Sequence, residues 1–204
     1  HFANQTSLTA TFDHPIYVNG LELASYSPEL SNARYDIDAE ISQIHGGTVV
    51  GYIGHPGNRP ISERLLNLLN EEERSGANTL ERYREFALAA LVAKEKTMAW
   101  VDHEVERGKT VYGLGAPVKG NTLLNFFGLG PDRIKFLTER NPLRKGLLSP
   151  GMHIPVVMDD ELPRVPDAYL VLAWNFKDEI LSRHAIDVAN GIEFYFPVDP
   201  SRRK

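Results

Sequence analysis

Between residues 111 and 125 the chain reads Val-Tyr-Gly-Leu-Gly-Ala-Pro-Val-Lys-Gly-Asn-Thr-Leu-Leu-Asn. Gly113, Gly115 and Gly120 permit close backbone approach, Pro117 stiffens a turn, and Lys119 brings a full positive charge. Asn121 and Thr122 add side-chain donors at what reads as a helix start. A strand, a lysine-bearing turn and a helix N-terminus can together hold an anion, because the first helical amides lack acceptors and carry partial positive charge. The chemistry implied is capture of a phosphate or diphosphate. The alternative is a tight turn that holds nothing. The pattern is not the phosphate loop of nucleoside triphosphatases, where the lysine follows a spaced glycine pair, nor is it a regular G-x-G-x-x-G.

Other residues could complete such a site. Glu139 ends the next strand-like segment, a place where nucleoside and dinucleotide sites put a carboxylate for ribose hydroxyls. Pairing of Glu139 and Arg140 with their surface surroundings is the competing reading. Asn141-Pro142 opens a long loop whose Arg144 and Lys145 either meet an anion or are solvated charges. Gly151 and His153 lie in Ser-Pro-Gly-Met-His-Ile-Pro, and Trp174 and Asn175 follow the most apolar segment, where a base or sugar ring could be stacked and hydrogen-bonded.

Much other chemistry is excluded. The chain has no cysteine, hence no disulfide, thiolate metal site or cysteine nucleophile. None of the seven histidines forms an i, i+4 pair with a third ligand nearby, so no metal site is expected. His103, between Asp102 and Glu104, reads as a solvated face, and no G-x-S-x-G is present. Asp159-Asp160-Glu161 reads as the start of a helix in preference to a magnesium site. The net charge of −5, from 22 basic and 27 acidic residues, does not suit a nucleic-acid partner. The basic residues 201–204 read as a frayed tail. No apolar run approaches the ~18 residues of a membrane span, and the first residues do not pair a charged with an apolar region. A cytoplasmic protein is the expectation.

Three regions must position these residues. Residues 1–57 read as β-rich, with strands broken at hairpin-type turns Asn19-Gly20 and Gly46-Gly47. Residues 58–108 read as a helical bridge. Ser62 caps its first helix, Gly76 punctuates it, and Asn78 or Thr79 caps a long second helix ended by Gly108. On that helix Leu80, Tyr83, Phe86, Ala87, Ala90, Leu91, Lys94, Thr97, Met98, Val101 and Val105 form a stripe about 40 Å long at ~1.5 Å per residue. Its partner is either its own domain, the preferred reading, or another subunit. Residues 109–204 alternate apolar strands with helices, which predicts an α/β domain with a mostly parallel, doubly wound, Rossmann-like sheet covered on both faces. One helix is expected over Lys-Asp-Glu-Ile-Leu-Ser-Arg-His-Ala-Ile-Asp-Val-Ala-Asn-Gly, residues 177–191.

The ordered runs Lys-Gly-Asn-Thr-Leu-Leu-Asn, Arg-Asn-Pro, Pro-Gly-Met-His-Ile-Pro and Ala-Trp-Asn, with the upstream Ile-His-Gly-Gly, resemble the C-terminal domain of the sugar C-methyltransferases over roughly residues 44–198. Those enzymes methylate a keto form of a deoxysugar carried on a nucleoside diphosphate. Two departures stand out: the family's usual Asp before Arg-Asn-Pro is Glu139 here, and its usual Thr before the His is Met152. The resemblance implies a nucleotide-sugar-binding domain, with a nucleoside-diphosphate sugar as partner. The family's methyl-donor motif, zinc cysteines and Tyr-His-Glu-His run do not occur here, and no catalytic residue is carried over. The expectation is therefore no cofactor in this chain, with S-adenosylmethionine only if a partner domain or chain supplies it, and a homo-oligomer through the long helix. Two alternatives stay open: a dinucleotide-dependent oxidoreductase, and a scaffold domain with a decayed site.

Overall fold

A computed structural model describes residues 36–42, 48–55, 57, 60–77 and 79–198 in full, and the backbone of three short strands before them. The chain forms two compact units, His1–Arg84 and Glu85–Lys204. The expected turns at Asn19-Gly20 and Gly46-Gly47, and the basic residues 201–204, lie outside the described residues.

In the first unit β1 (Thr6–Thr9), β5 (Thr48–Gly54) and β4 (Asp36–Ser42) form an antiparallel sheet in that order, and β2 (Ile16–Tyr17) pairs with β3 (Leu23–Ala24). Helix α1 (Glu63–Ser75) begins where Ser62 Oγ accepts the Leu65 N–H at 3.1 Å and ends at Gly76 in the left-handed conformation, φ 66°. Arg64 fastens its first turn to β4 by ion pairs to Asp38 and Glu40 at 2.5 and 2.7 Å.

Helix α2 (Leu80–Glu106) starts with Thr79 Oγ1 accepting from the Arg82 N–H, while Asn78, the other expected cap, is outside the described residues. Its apolar stripe divides. Thr97 and Val101 are buried, with Met98 and Val105 packed beside them. Further up the helix, Phe86 is 73% and Leu91 50% exposed. Packing on its own domain thus holds for the C-terminal half of the stripe only.

The second unit is built on five parallel strands: β6 (Val111–Leu114), β7 (Ile134–Glu139), β8 (Val156–Met158), β9 (Ala168–Val171) and β10 (Glu193–Tyr195). Their spatial order is β10-β9-β6-β7-β8. Counted from the first strand of the unit this is 3-2-1-4-5 read from the β8 edge, the doubly wound order, and the direction of winding reverses between β6 and β9. Helix α3 (Val118–Phe127) links β6 to β7. Helices α4 (Lys177–Arg183) and α5 (Ala185–Ala189) link β9 to β10. The single helix expected over 177–191 is broken at His184, whose ring is drawn between Tyr169 and Phe194 and bonded to Asp187 at 2.7 Å.

Alternation along the strands sorts the core into two layers. Val111, Ala168 and Leu170 pack with Leu123, Leu124 and Phe127 of α3 and Val101 of α2. Tyr112, Leu114, Tyr169 and Val171 pack on the other face with Ile180 of α4 and Phe194. A register shift between Val111 and Gly113 lets Ile134 and Leu137, three residues apart, reach the same layer. Glu104, expected on a solvated face, is 2% exposed and ion-paired to Lys109 at 2.5 Å. Lys109 in turn holds Glu193 at 2.6 Å, which ties the end of α2 to the edge strand. Asp159-Asp160-Glu161 forms a turn, not a helix start, and Glu161 pairs with Lys145 at 2.5 Å. Among the described residues no helix is long and apolar enough to cross a membrane.

Candidate functional site

In a doubly wound sheet the open crevice lies past the carboxyl ends of the two strands where the winding reverses, because the connections leave them toward opposite faces. Here those strands are β6 and β9, and the segments that leave them are 115–117 and 172–175. Gly115 takes φ 84°, a left-handed conformation that glycine adopts without strain, and its N–H donates to Thr138 O at 3.0 Å. Pro117 is the N-cap of α3 and offers no side-chain cap. The helix begins at Val118, three residues earlier than Asn121. Lys119 is therefore in the first turn, exposed, with no ion pair or hydrogen bond among the described residues. The amides of Val118, Lys119 and Gly120 have no acceptor in the helix, since the first intrahelical bond is Asn121 N–H to Pro117 O at 3.0 Å.

The glycines do different jobs. A methyl group added at Gly120 would lie 2.7 Å from Leu172 Cβ, so this glycine lets α3 approach the segment leaving β9. Gly113 faces the core, where a methyl group would meet Leu137 at 2.5 Å and Leu172 at 3.1 Å. Gly151, at φ 79°, lies against Asn125 of α3. The Asn125 amide donates to Asn121 O at 2.8 Å and Pro150 O at 2.9 Å, docking the Ser-Pro-Gly turn on the second half of the helix. Gly151 and His153 thus sit beside that half, about 10 Å along the helix from Val118 at ~1.5 Å per residue. His153 is exposed and has φ 55°, uncommon for a residue with a side chain.

Asn121 and Thr122 do not act as helix caps. The Thr122 hydroxyl turns back to Val118 O at 3.3 Å, and Asn121 Oδ1 is buried without a hydrogen-bond partner among the described residues. Glu139 lies at the end of β7 with its side chain 13% exposed. Its Oε1 accepts the Arg140 and Asn141 N–H groups at 2.8 and 3.1 Å, and its Oε2 accepts from Arg144 at 2.7 Å. Burial pushes this carboxyl up, but the two backbone donors and the Arg144 guanidinium outweigh burial and hold it below the usual carboxylate range. Arg140 itself is exposed, and Asn141 caps a short 3₁₀ turn through the Leu143 N–H at 3.1 Å. Trp174 and Asn175 form the 3₁₀ turn after β9, both half-buried, with Trp174 against the first core layer.

The fold therefore brings together the 115–117 turn, Lys119, Gly120 and Asn121. It sets Trp174 and Asn175 on the neighbouring strand's exit and joins Glu139 to the turn through Arg144, whose Nη1 also donates to Ala116 O at 2.8 Å. Sequence reasoning left Arg144 between ligand contact and solvated charge, and its contact to a residue 28 positions away has no local signal. Asn125 was missed as well. Its signal is a polar residue one helical turn from Asn121 inside an apolar stretch.

Residues 43–199 match the family described as the C-methyltransferase C-terminal domain. Over 168 residues the chain is 33% identical to C-methyltransferase NovU of Streptomyces niveus, an alignment that covers 81% of this chain and 40% of that protein. The chain thus spans less than half the length of this relative.

Proposed function

The chain belongs to the C-methyltransferase C-terminal domain family, and from that premise we propose that its parallel sheet binds a nucleoside-diphosphate sugar, with the diphosphate on the N-terminus of α3. The observation that carries this reading is three amides without a helical acceptor, at Val118, Lys119 and Gly120, in the same first turn as the exposed Lys119, which is unpaired among the described residues, where the winding of the sheet reverses. Trp174 and Asn175 lie in the 3₁₀ turn at the exit from β9, and on this reading they face a ring and its hydroxyls.

The domain's part in C-methylation is to hold the deoxysugar carrier. On this reading it does not transfer methyl by itself. The methyl donor, S-adenosylmethionine, is held by a partner domain or chain, and the exposed part of the α2 stripe suits contact with a second copy.

Titration calorimetry and thermal unfolding with thymidine, uridine and guanosine diphosphates, NAD and S-adenosylmethionine test the reading. A nucleoside diphosphate is expected to bind and raise the unfolding temperature. Lys119→Ala is expected to lower its affinity by about 10-fold or more, since a charge-assisted hydrogen bond contributes roughly 1.5–3 kcal/mol. Stabilisation by NAD with no response to any nucleoside diphosphate would overturn the proposal. Unchanged affinity in the Lys119 variant would remove that residue from the site.

A further inference from the structure

We infer that Arg144 is a positioning residue of the anion site, which with Glu139 latches the turn between β6 and α3 and spends its charge inside the protein instead of on the ligand. The inference rests on the reading of that turn as a diphosphate site.

One guanidinium nitrogen makes both contacts: Arg144 Nη1 lies 2.8 Å from Ala116 O and 2.7 Å from Glu139 Oε2. Each end of the latch is anchored separately. Glu139 Oε1 is held by two backbone N–H groups at 2.8 and 3.1 Å, so its second oxygen is presented to Arg144 in a fixed direction. Arg144 closes a 3₁₀ turn whose first amide is capped by Asn141. On the turn itself, Gly115 is fixed by Thr138 O just before Ala116, and the Pro117 ring would lie 3.2–3.3 Å from a methyl group at Gly120 just after it. The Ala116 carbonyl is the group between these two anchors, and Arg144 takes it.

The electrostatic consequence follows from the peptide's polarity. Pro117 has no N–H, so the Ala116–Pro117 peptide has only its carbonyl oxygen to offer, a partial negative charge two residues before the first free amide of α3. Left unpaired and free to rotate, that oxygen would oppose an anion at the helix N-terminus. Bound to a guanidinium, it is neutralised and directed away. The Arg144 charge is itself balanced by Glu139, so the pair adds little net field at a distance. Lys119 remains the cation that the ligand meets.

The test uses thymidine diphosphate titrated into the wild-type chain and into Arg144→Met, Arg144→Lys and Lys119→Ala, at several salt concentrations. Hydrogen exchange of the Gly115 amide is followed in the same proteins without ligand. Arg144→Met is expected to weaken binding about 10-fold and to speed Gly115 exchange; combined with Glu139→Gln, so that no carboxylate is left unbalanced, it is expected to leave the slope of affinity against salt unchanged. Lys119→Ala is expected to flatten that slope, because a ligand-facing charge is what salt screens. Arg144→Lys is expected to return affinity to within about 3-fold of wild type, since a single nitrogen can reproduce both contacts. An Arg144→Met, Glu139→Gln double variant that flattens the salt slope as Lys119→Ala does would make Arg144 a ligand contact and overturn the inference. Unchanged affinity, or a lysine variant as weak as the methionine one, would also overturn it. If wild type does not bind the diphosphate, the diphosphate reading fails by itself, and Gly115 exchange in the Arg144 variants still decides whether the latch exists.

Discussion

Replacing Gly120 with alanine isolates the contact that sets the distance between α3 and the crevice. Gly120 has a helical backbone that alanine adopts without strain, so the substitution changes packing and helix propensity only. Propensity favours alanine by roughly 1 kcal/mol. The new methyl group, however, would lie 2.7 Å from Leu172 Cβ, about 0.8 Å inside the ~3.5 Å at which two carbons attract. Leu172 Cβ is bonded directly to the backbone and cannot rotate away, and the Pro117 ring blocks a second direction at 3.2–3.3 Å. The first turn of α3 must therefore move off β9's exit segment. Overpacking of this kind costs roughly 1–3 kcal/mol, which leaves a net loss of up to about 2 kcal/mol, or up to about 8 °C in unfolding temperature for a chain of this size. Calorimetric unfolding measures it. Leu172→Ala should not rescue the variant, because the clash is with Cβ, which alanine retains. Should Gly120→Ala be more stable than wild type, as propensity alone predicts, or should Leu172→Ala restore a loss, the account of close helix–strand approach is wrong.

Lys109→Met should cost about 3 kcal/mol in urea unfolding, because it leaves the buried Glu104 carboxylate with only the exposed Arg107 at 3.4 Å and His103 at 3.9 Å; adding Glu104→Gln should restore most of the loss. Glu139, whose folded carboxyl is held below its ordinary value, contributes stability that is fully present above the unfolded pKa near ~4.3 and is lost as pH falls toward the folded one. Unfolding free energy followed from about pH 5 to 3 should accordingly fall less steeply in Glu139→Gln than in wild type. Gly151→Ala should destabilise strongly, since its methyl group would overlap Asn125 Oδ1 at 1.9 Å and its φ is 79°. In an Asn125→Ala background the overlap disappears and only the left-handed strain of roughly 1–2 kcal/mol remains, so the two substitutions should be clearly non-additive by thermal unfolding.

Where a structural choice depends on residues three or four apart, the chain spells it out. The Ser62 cap bond reaches three residues on, to Leu65, and the Gly76 cap bonds reach three and four residues back, to Glu73 and Glu72, so the bounds of α1 were legible, as was the end of α2 near Gly108. The alternation of apolar strands with helices specified a parallel α/β unit, because strands covered on both faces have no polar side to show. The Lys119 turn was likewise found at the exit of the first parallel strand, where the fold puts it. What tertiary packing alone decided is which residue does which job there. Gly113 and Gly120 both read as phosphate glycines, yet Leu137 and Leu172 claim the space beside them, and those neighbours come from β7 and from the exit of β9. Glu104 read as solvated beside His103, yet it is buried and paired with Lys109, which Glu193 of the edge strand holds in turn. Arg144 and Ala116 are joined only because β6 and β7 lie side by side, which turns 28 residues of separation into one hydrogen bond. A side chain's partners are set by distance in space, and the strand order that fixes those distances is written in no single stretch of the chain.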